Sequence, residues 1–168
     1  VSINHPGFIG GFCELATNMY VCTTKAFMRW DNTNNVWIML YGFGASTATS
    51  VAIYNGNIFI ALGGSTDYIY SEDAGATWTT STLATKQFDF FLVYANSLWG
   101  IVKPNNLWVN IGTGLNGGSA WGSNIKIGDT TWNINAIVAN GSNILIPKAD
   151  GIFMVTSTPS AVPILPEL

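Results

Sequence analysis

The segment SVAIYNGNIFIAL, residues 50–62, decides how the rest of the chain is interpreted. Two runs of apolar and β-branched residues flank Asn55-Gly56, and such runs are typical of β-strands. Asn and Gly accept the positive φ angles that a two-residue hairpin turn requires. The segment therefore predicts a β-hairpin with its turn at Asn55-Gly56.

The same pattern occurs three more times, which indicates an internal repeat. The other predicted turns are Thr17-Asn18, Ala95-Asn96 and Asn140-Gly141. A third strand is predicted after each hairpin, within the segments AFMRWD, YIYSED, NLWVNI and GIFMVT. In the first three units a tryptophan opens the predicted fourth strand, and these residues are Trp37, Trp78 and Trp121.

Four antiparallel strands repeated at an interval of about 40 residues predict an all-β fold, a β-propeller of about four blades. A single blade is too small to bury its own faces, and stacking the blades around an axis buries them. The predicted blades span residues 11–44, 48–84, 88–128 and 132–168, after an amino-terminal segment of residues 1–10. A β-sandwich of short strands is the alternative fold.

The segment SEDAGATW, residues 71–78, resembles the Asp-box, or BNR repeat, of sialidase-like and sortilin-like propellers. The positions that carry the resemblance are Ser71, Asp73, Gly75, Thr77 and Trp78. In the first unit the segment WDNTNNVW has the same length, with Asn32 at the place of Asp73 and Trp37 at the place of Trp78. The resemblance implies a structural motif that lies away from any catalytic centre.

The residue types in this segment lead to the same interpretation without the family. Asp73 and Ser71 can hydrogen-bond backbone groups of the turn between the third and fourth strands. Gly75 suits a conformation that other residues resist, and Trp78 can pack between two blades. We therefore expect the segment to brace the fold.

The composition argues against several functions. A single arginine, Arg29, cannot form the cluster that clamps the carboxylate of a sialic acid. A net charge of −3 with six basic residues does not suit nucleic acid, and no run approaches the ~18 apolar residues of a membrane span. Two cysteines and one histidine are too few for a zinc site, so we expect neither a metal nor a cofactor. No spacing marks the pair of carboxylates that other glycosidases need, and we expect no enzymatic activity.

The two cysteines lie on either side of the first predicted turn. With Thr17-Asn18 as that turn, Cys13 is directly opposite Cys22, where a disulfide is geometrically allowed. The equivalent positions of the second hairpin hold Val51 and Ile60, which favours the alternative that both cysteines are packing residues.

Charged residues are predicted to gather at one end of the propeller. Lys25, Asp67, Lys103, Lys148 and Asp150 lie in or beside the loops between second and third strands. The connections between blades contain Lys86, Asp89 and Trp132, with Phe43 and Phe88 as further aromatic residues. In a propeller these loops and connections emerge at the same end, here named the lysine-bearing face. Polar groups beside aromatic residues are typical of protein and carbohydrate interfaces.

Together these observations favour a non-catalytic binding or structural module. A polar, weakly charged surface suits an extracellular location, either a virion component (phage tail, fibre or capsid decoration) or a cell-surface component. Expected partners are other proteins, further copies of the chain, or a glycan. The alternatives are a fragment of a larger Asp-box glycoside hydrolase and a receptor or assembly-factor propeller. An open arc of four blades would expose apolar end faces, so we expect the module to close on itself or to be completed by another copy, another chain or further blades of its own.

Overall fold

The computed structural model describes residues 9–63, 66–82, 86–109, 121–122, 124–155 and 161–165. In these ranges sixteen strands form four antiparallel sheets of four strands each, in simple up-and-down order. The predicted all-β, propeller-like fold of four blades is confirmed. The described residues contain no helix long and apolar enough to cross a membrane.

Each blade consists of four strands that are consecutive in the chain. Blade 1 contains β1 (Ile9–Leu15), β2 (Asn18–Thr23), β3 (Ala26–Asp31) and β4 (Val36–Gly42). Blade 2 contains β5 (Ser50–Tyr54), β6 (Asn57–Ala61), β7 (Ile69–Ser71) and β8 (Thr79–Thr80). Blade 3 contains β9 (Phe90–Tyr94), β10 (Ser97–Val102), β11 (Asn106–Val109) and β12 (Ile125–Lys126). Blade 4 contains β13 (Val138–Asn140), β14 (Asn143–Lys148), β15 (Gly151–Val155) and β16 (Ala161–Leu165).

Two of the four hairpin turns lie where the sequence predicts them. Tyr54 pairs with Asn57 around Asn55-Gly56, and Asn55 and Gly56 both have positive φ angles. Tyr94 pairs with Ser97 around Ala95-Asn96, which also have positive φ angles. The left-handed backbone of a two-residue turn is therefore present at both sites.

The other two turns are displaced by one residue from their predicted positions. Leu15 pairs with Asn18, so the first turn is Ala16-Thr17 and not Thr17-Asn18. Asn140 pairs with Asn143, so the last turn is Gly141-Ser142 and not Asn140-Gly141. In both hairpins an asparagine that was assigned to the turn instead closes the strand ladder.

The tryptophans mark the fourth strands only approximately. Trp37 lies inside β4, and Trp78 directly precedes the two-residue strand β8. Trp121 is buried and lies in a β-bridge before β12, which begins at Ile125. The next residue, Gly122, donates its N–H to the Val109 carbonyl of β11 over 2.9 Å. The segment NIGTGLNGGSAW, residues 110–121, makes the third unit longer before its tryptophan, and of this segment the structure describes Trp121 alone.

Alternation along each hairpin gives every blade two apolar faces. We name the face on the side of the next blade in the chain the forward face, and the face on the side of the preceding blade the backward face. The forward face includes Cys13, Tyr20 and Cys22 in blade 1; Ala52, Phe59 and Ala61 in blade 2; Leu92, Trp99 and Ile101 in blade 3; and Val138, Leu145 and Pro147 in blade 4. The backward face holds the residue that directly precedes each of these in the chain. These residues are Phe12, Met19 and Val21 in blade 1; Val51, Ile58 and Ile60 in blade 2; Phe91, Leu98 and Gly100 in blade 3; and Ile137, Ile144 and Ile146 in blade 4.

Three buried clusters join consecutive blades through these faces. The first cluster joins the forward face of blade 1 to the backward face of blade 2. The second joins blades 2 and 3, and the third joins blades 3 and 4 in the same way. No cluster of the described residues contains side chains from both blade 4 and blade 1. We infer that the described blades form an open arc, so the first of the expected alternatives, closure on itself, is not what the described residues form.

The interface between blades 2 and 3 is built on aromatic rings. The ring centroids of Phe88 and Trp121 are 4.3 Å apart, and Trp121 donates its indole N–H to the Tyr68 hydroxyl over 3.4 Å. Gly100 makes room for this cluster, because a Cβ atom there would lie 2.5 Å from two ring carbons of Phe88. The Gly100 backbone therefore contacts the Phe88 ring directly, at a position where the other three hairpins carry a side chain.

This contact gives a test of the packing at the second interface. Gly100→Ala should lower the free energy of unfolding by about 1–3 kcal/mol, because the new methyl group overpacks the Phe88 ring. Gly42→Ala is the matched control in strand β4, where the nearest atom to the new Cβ is the Met39 sulfur at 4.0 Å. Urea unfolding of both variants measures the difference, and equal stability of the two would contradict the contact.

Candidate functional site

The loops between second and third strands lie at the same end of the arc as the connections between blades. Phe43, in the first connection, donates its N–H to the Lys25 carbonyl over 2.9 Å. Ile134, in the third connection, donates to the Pro104 carbonyl over 3.0 Å. At these two places the loop and the connection therefore adjoin at this end of the arc.

Lys148 does not reach the solvent on this face. Its side chain is fully buried, and its Nζ donates to the carbonyl oxygens of Ile127 at 2.8 Å and Asp129 at 2.7 Å. The Asp150 carboxylate lies 3.9 Å away and balances the charge. The ammonium group thus fastens the connection between blades 3 and 4 to strand β14, and a buried cation is tolerated only with such partners.

Lys86 is also turned inward. It is buried, and its Nζ lies 4.6 Å from the centroid of the Trp108 ring. This cation–π contact joins the connection between blades 2 and 3 to strand β11. Neither Lys86 nor Lys148 is therefore available to a partner in this conformation, although the sequence places both on the binding face.

Asp89 and Lys103 form a partly buried pair. The Lys103 backbone N–H donates to Asp89 Oδ2 over 3.0 Å, and the Lys103 Nζ lies 3.8 Å from Asp89 Oδ1. The Asp89 side chain is almost completely buried, whereas 40% of the Lys103 side chain is exposed. Asp89 therefore positions the loop between β10 and β11 and holds the exposed lysine in place.

The accessible part of the face is smaller than the sequence predicts. Trp132 is 47% exposed, whereas Phe43 and Phe88, which were expected to stand beside it, are buried. Lys25 is exposed and bonds only weakly, to the Ser46 carbonyl at 3.3 Å and the Thr47 hydroxyl at 3.4 Å. The half-buried Asp67 accepts a hydrogen bond from Gln87 over 3.3 Å.

Trp132 and Lys103 lie in the same neighbourhood of this face. Ile134, two residues after Trp132, is hydrogen-bonded to Pro104, the residue that follows Lys103. Of the side chains that the sequence assigns to the lysine-bearing face, the accessible ones are thus the Trp132 ring and the Lys103 ammonium group on adjoining loops, together with Lys25 and Asp67.

The segment SEDAGATW forms a compact network of hydrogen bonds in the turn between β7 and β8. The Ser71 hydroxyl donates to Asp73 Oδ1 over 2.8 Å and accepts the Gly75 N–H over 2.8 Å. Asp73 also accepts the Thr77 N–H at 2.8 Å and the Thr77 hydroxyl at 2.6 Å. These bonds to the charged form lower the pKa of Asp73 to about 2, with the Thr77 hydroxyl as the largest cause.

Trp78 connects this turn to the neighbouring blade. Its indole N–H donates to the Gly75 carbonyl over 3.1 Å. Its ring lies 5.3 Å, centroid to centroid, from both Phe27 and Tyr41 of blade 1. Gly75 has a φ of 91°, and a Cβ there would lie 3.0 Å from Leu40. The geometry is that of a structural turn packed between two blades.

The corresponding turn of blade 1 uses a different residue. Asp31, not Asn32, accepts the Thr33 N–H at 2.9 Å and the Asn34 side-chain N–H at 2.7 Å. Trp37 packs edge-on against Trp30, on the backward face of its own blade. The sequence alignment of Asn32 with Asp73 therefore does not hold in the structure.

The cysteines are not opposite each other. Cys13 pairs with Tyr20, and Cys22 pairs with Gly11, because the first turn is displaced by one residue. Both thiols are free, and burial raises the pKa of Cys13 to about 11 and that of Cys22 to about 12. Both side chains contribute to the packing between blades 1 and 2.

The described residues contain no group of three or more His, Cys, Asp or Glu side chains that could hold a metal ion. The only histidine, His5, lies outside the part of the chain that the structure describes.

Neither the protein-family models nor the curated protein sequences match this chain. Solved β-propeller structures do match it. YCF48 from Cyanidioschyzon merolae is 12% identical with a TM-score of 0.71, over 100% of this chain and 60% of that one. A structure titled YCF48 bound to D1 peptide is 11% identical with a TM-score of 0.70, over 97% and 55% of the two chains.

Two further matches have other functions in their titles. The extracellular domain of the one component system BT4673 from B. thetaiotaomicron is 13% identical with a TM-score of 0.71, over 94% of this chain and 23% of that one. An ancestral GH74 enzyme is 14% identical with a TM-score of 0.68, over 94% and 24%. The chain thus spans between about a quarter and three-fifths of these structures, and the likeness establishes the fold.

The Asp73 network predicts a pH-dependent loss of stability. The folded pKa lies below the usual value of 3.8, so the stabilisation is present in full above about pH 4 and is lost as the pH falls toward 2. Asp73→Asn should therefore be less stable than the wild type at pH 7, and the two should converge near pH 2. Thermal unfolding between pH 2 and 7 measures this difference, with Glu72→Gln as the control for an adjacent exposed carboxylate outside the network. A constant difference across this range would contradict the assigned role.

Proposed function

We propose that this chain is a non-catalytic binding module that engages a protein partner through the lysine-bearing face. The observation that carries the proposal is the pairing of an exposed Trp132 with an exposed Lys103 on adjoining loops. Tryptophan is enriched among the anchors of protein interfaces, and a lysine beside it adds electrostatic complementarity toward an acidic partner. A partner segment with carboxylates and an apolar side chain has the matching chemistry.

The rigidity of the face supports this proposal. Lys148 and Lys86 fix the connections between blades from inside, and Asp89 holds the loop that carries Lys103. A loop that is already ordered loses little conformational freedom when a partner binds. The buried charges on this face therefore contribute to binding indirectly, by positioning the exposed residues.

The state of the carboxylates supports a non-catalytic role. Asp31 and Asp73 accept hydrogen bonds in turns at the opposite end of the blades. Asp89 and Asp150 lie beside Lys103 and Lys148 and balance their charges. A glycosidase needs one protonated and one ionised carboxyl group facing its substrate, and these four serve structural contacts instead.

We further propose that the module belongs to a virion or cell surface. Charged residues make up only 9% of the chain, and the exposed loops and turns are rich in Asn, Thr and Gly. The likeness of fold to an extracellular domain and to a protein bound to a peptide is consistent with display of the module toward partners.

To test the binding proposal, the protein is applied to an array of acidic and neutral peptides and, in parallel, to a glycan array. Lys103→Ala and Trp132→Ala should each weaken binding of the retained acidic peptides by about 10-fold or more, because each removes a charge-assisted or aromatic contact of at least about 1.4 kcal/mol. Surface plasmon resonance measures the dissociation constants.

The matched control is Asn140→Ala, an exposed residue beside the hairpin turn at the opposite end of blade 4. This variant should bind like the wild type, and all three should unfold at similar temperatures. Binding of glycans but not of peptides would contradict the proposal of a protein partner. A binding defect confined to Asn140→Ala would show that the interface lies at the hairpin-turn end and not on the lysine-bearing face.

A further inference from the structure

The two end faces of the arc are apolar, like the faces that pack inside it. The forward face of blade 4 carries Val138, Leu145 and Pro147 at the positions that hold Cys13, Tyr20 and Cys22 in blade 1. Those three residues of blade 1 pack against blade 2, whereas no described residue follows blade 4. The forward face of blade 4 thus has the pattern of an interface without a described neighbour.

This face is open to solvent. Val138 is 51% exposed and Val162 is 48% exposed, and between them Leu145 and Met154 are only half-buried. These four side chains form one row across the blade, because each pairs with the next in the strand register. On the opposite face of the same blade, Ile144 and Ile146 are buried against blade 3.

The backward face of blade 1 is the second end face. Phe12, Val21, Met28 and Met39 form one row across its four strands. Phe12 is 61% exposed and Met39 is 64% exposed, and Met19 beside them is 51% exposed. The buried centre of this row forms a cluster that contains no residue of another blade. Contiguous exposed apolar rows of this kind mark interaction surfaces.

We propose that a second copy of this chain covers both end faces and completes a ring of eight blades. The forward face of blade 4 in each copy would pack against the backward face of blade 1 in the other. Phe12, Met19 and Val21 of one copy would then meet Val138, Leu145 and Pro147 of its partner. Within one chain, Val51, Ile58 and Ile60 meet Cys13, Tyr20 and Cys22 in the same arrangement.

The types of the two end faces favour a second copy as the occupant. One end face is a forward face and the other is a backward face. A twofold rotation about the central axis of the ring therefore brings the forward face of each copy against the backward face of the other, and no apolar end face stays exposed. Eight blades lie within the range of about four to eight that propellers have.

Mass measurement of the chain by sedimentation equilibrium and native mass spectrometry tests the proposal. We expect twice the mass of one chain at micromolar concentration. Val138→Asp should raise the dissociation constant of the dimer at least about 100-fold, because a carboxylate is placed in each of its two apolar contacts. Val93→Asp is the matched control, since Val93 is 40% exposed on the inner strand β9 of blade 3 and lies on neither end face.

Mixing two variants tests which faces meet. Val138→Lys and Phe12→Asp should each be monomeric alone, and an equal mixture should form dimers, because one contact is then wild type and the other pairs opposite charges. A wild-type monomer, or an assembly larger than a dimer, would overturn the ring. Loss of the dimer in Val138→Asp but not in Phe12→Asp would also overturn it, because blade 4 would then meet blade 4. Circular dichroism confirms that each variant is folded.

Discussion

The constraint on which the structure depends is that every blade is apolar on both faces. A four-stranded sheet of about 30 residues cannot bury two apolar faces by itself, so its stability comes from its neighbours. The register of each hairpin decides which residues face forward and which backward, and a slip of one residue would exchange the two sets. Correct pairing of Tyr54 with Asn57, or of Tyr94 with Ser97, is therefore a condition for the packing of three blades at once.

The two ends of the blades have different roles. At one end, the Asp73 network closes a turn with hydrogen bonds that satisfy its own backbone and leave few groups for a partner. At the other end, buried ammonium groups hold the connections between blades, and the exposed residues are few but fixed. Structural charge and accessible charge therefore occur on the same face, and only burial distinguishes Lys148 from Lys25.

The architecture could be predicted from the sequence because its repeat is local. Two hairpins with Asn or Gly in the turn were located correctly, and the network at Ser71 to Trp78 follows from residues that are close in the chain. Ala16 was missed because alanine rarely adopts the positive φ of 56° that it has here, and the neighbouring Asn18 gave a stronger turn signal. The burial of Lys148 could not be predicted, because its partners Ile127 and Asp129 come from the connection that precedes its blade.

Gly100 has a consequence for the history of the repeats. The equivalent positions of blades 2 and 4 hold Ile60 and Ile146, and there the side chain itself fills the space between blades. In blade 3 that space belongs to Phe88, which comes from the connection and not from the strand. Blade 3 and the segment before it have thus become a matched pair. The four units still share one strand order, but blade 3 fits only the connection that carries Phe88. Recombination that separated the two would leave a cavity beside Gly100. It would also bring Phe88 against a larger side chain in another interface.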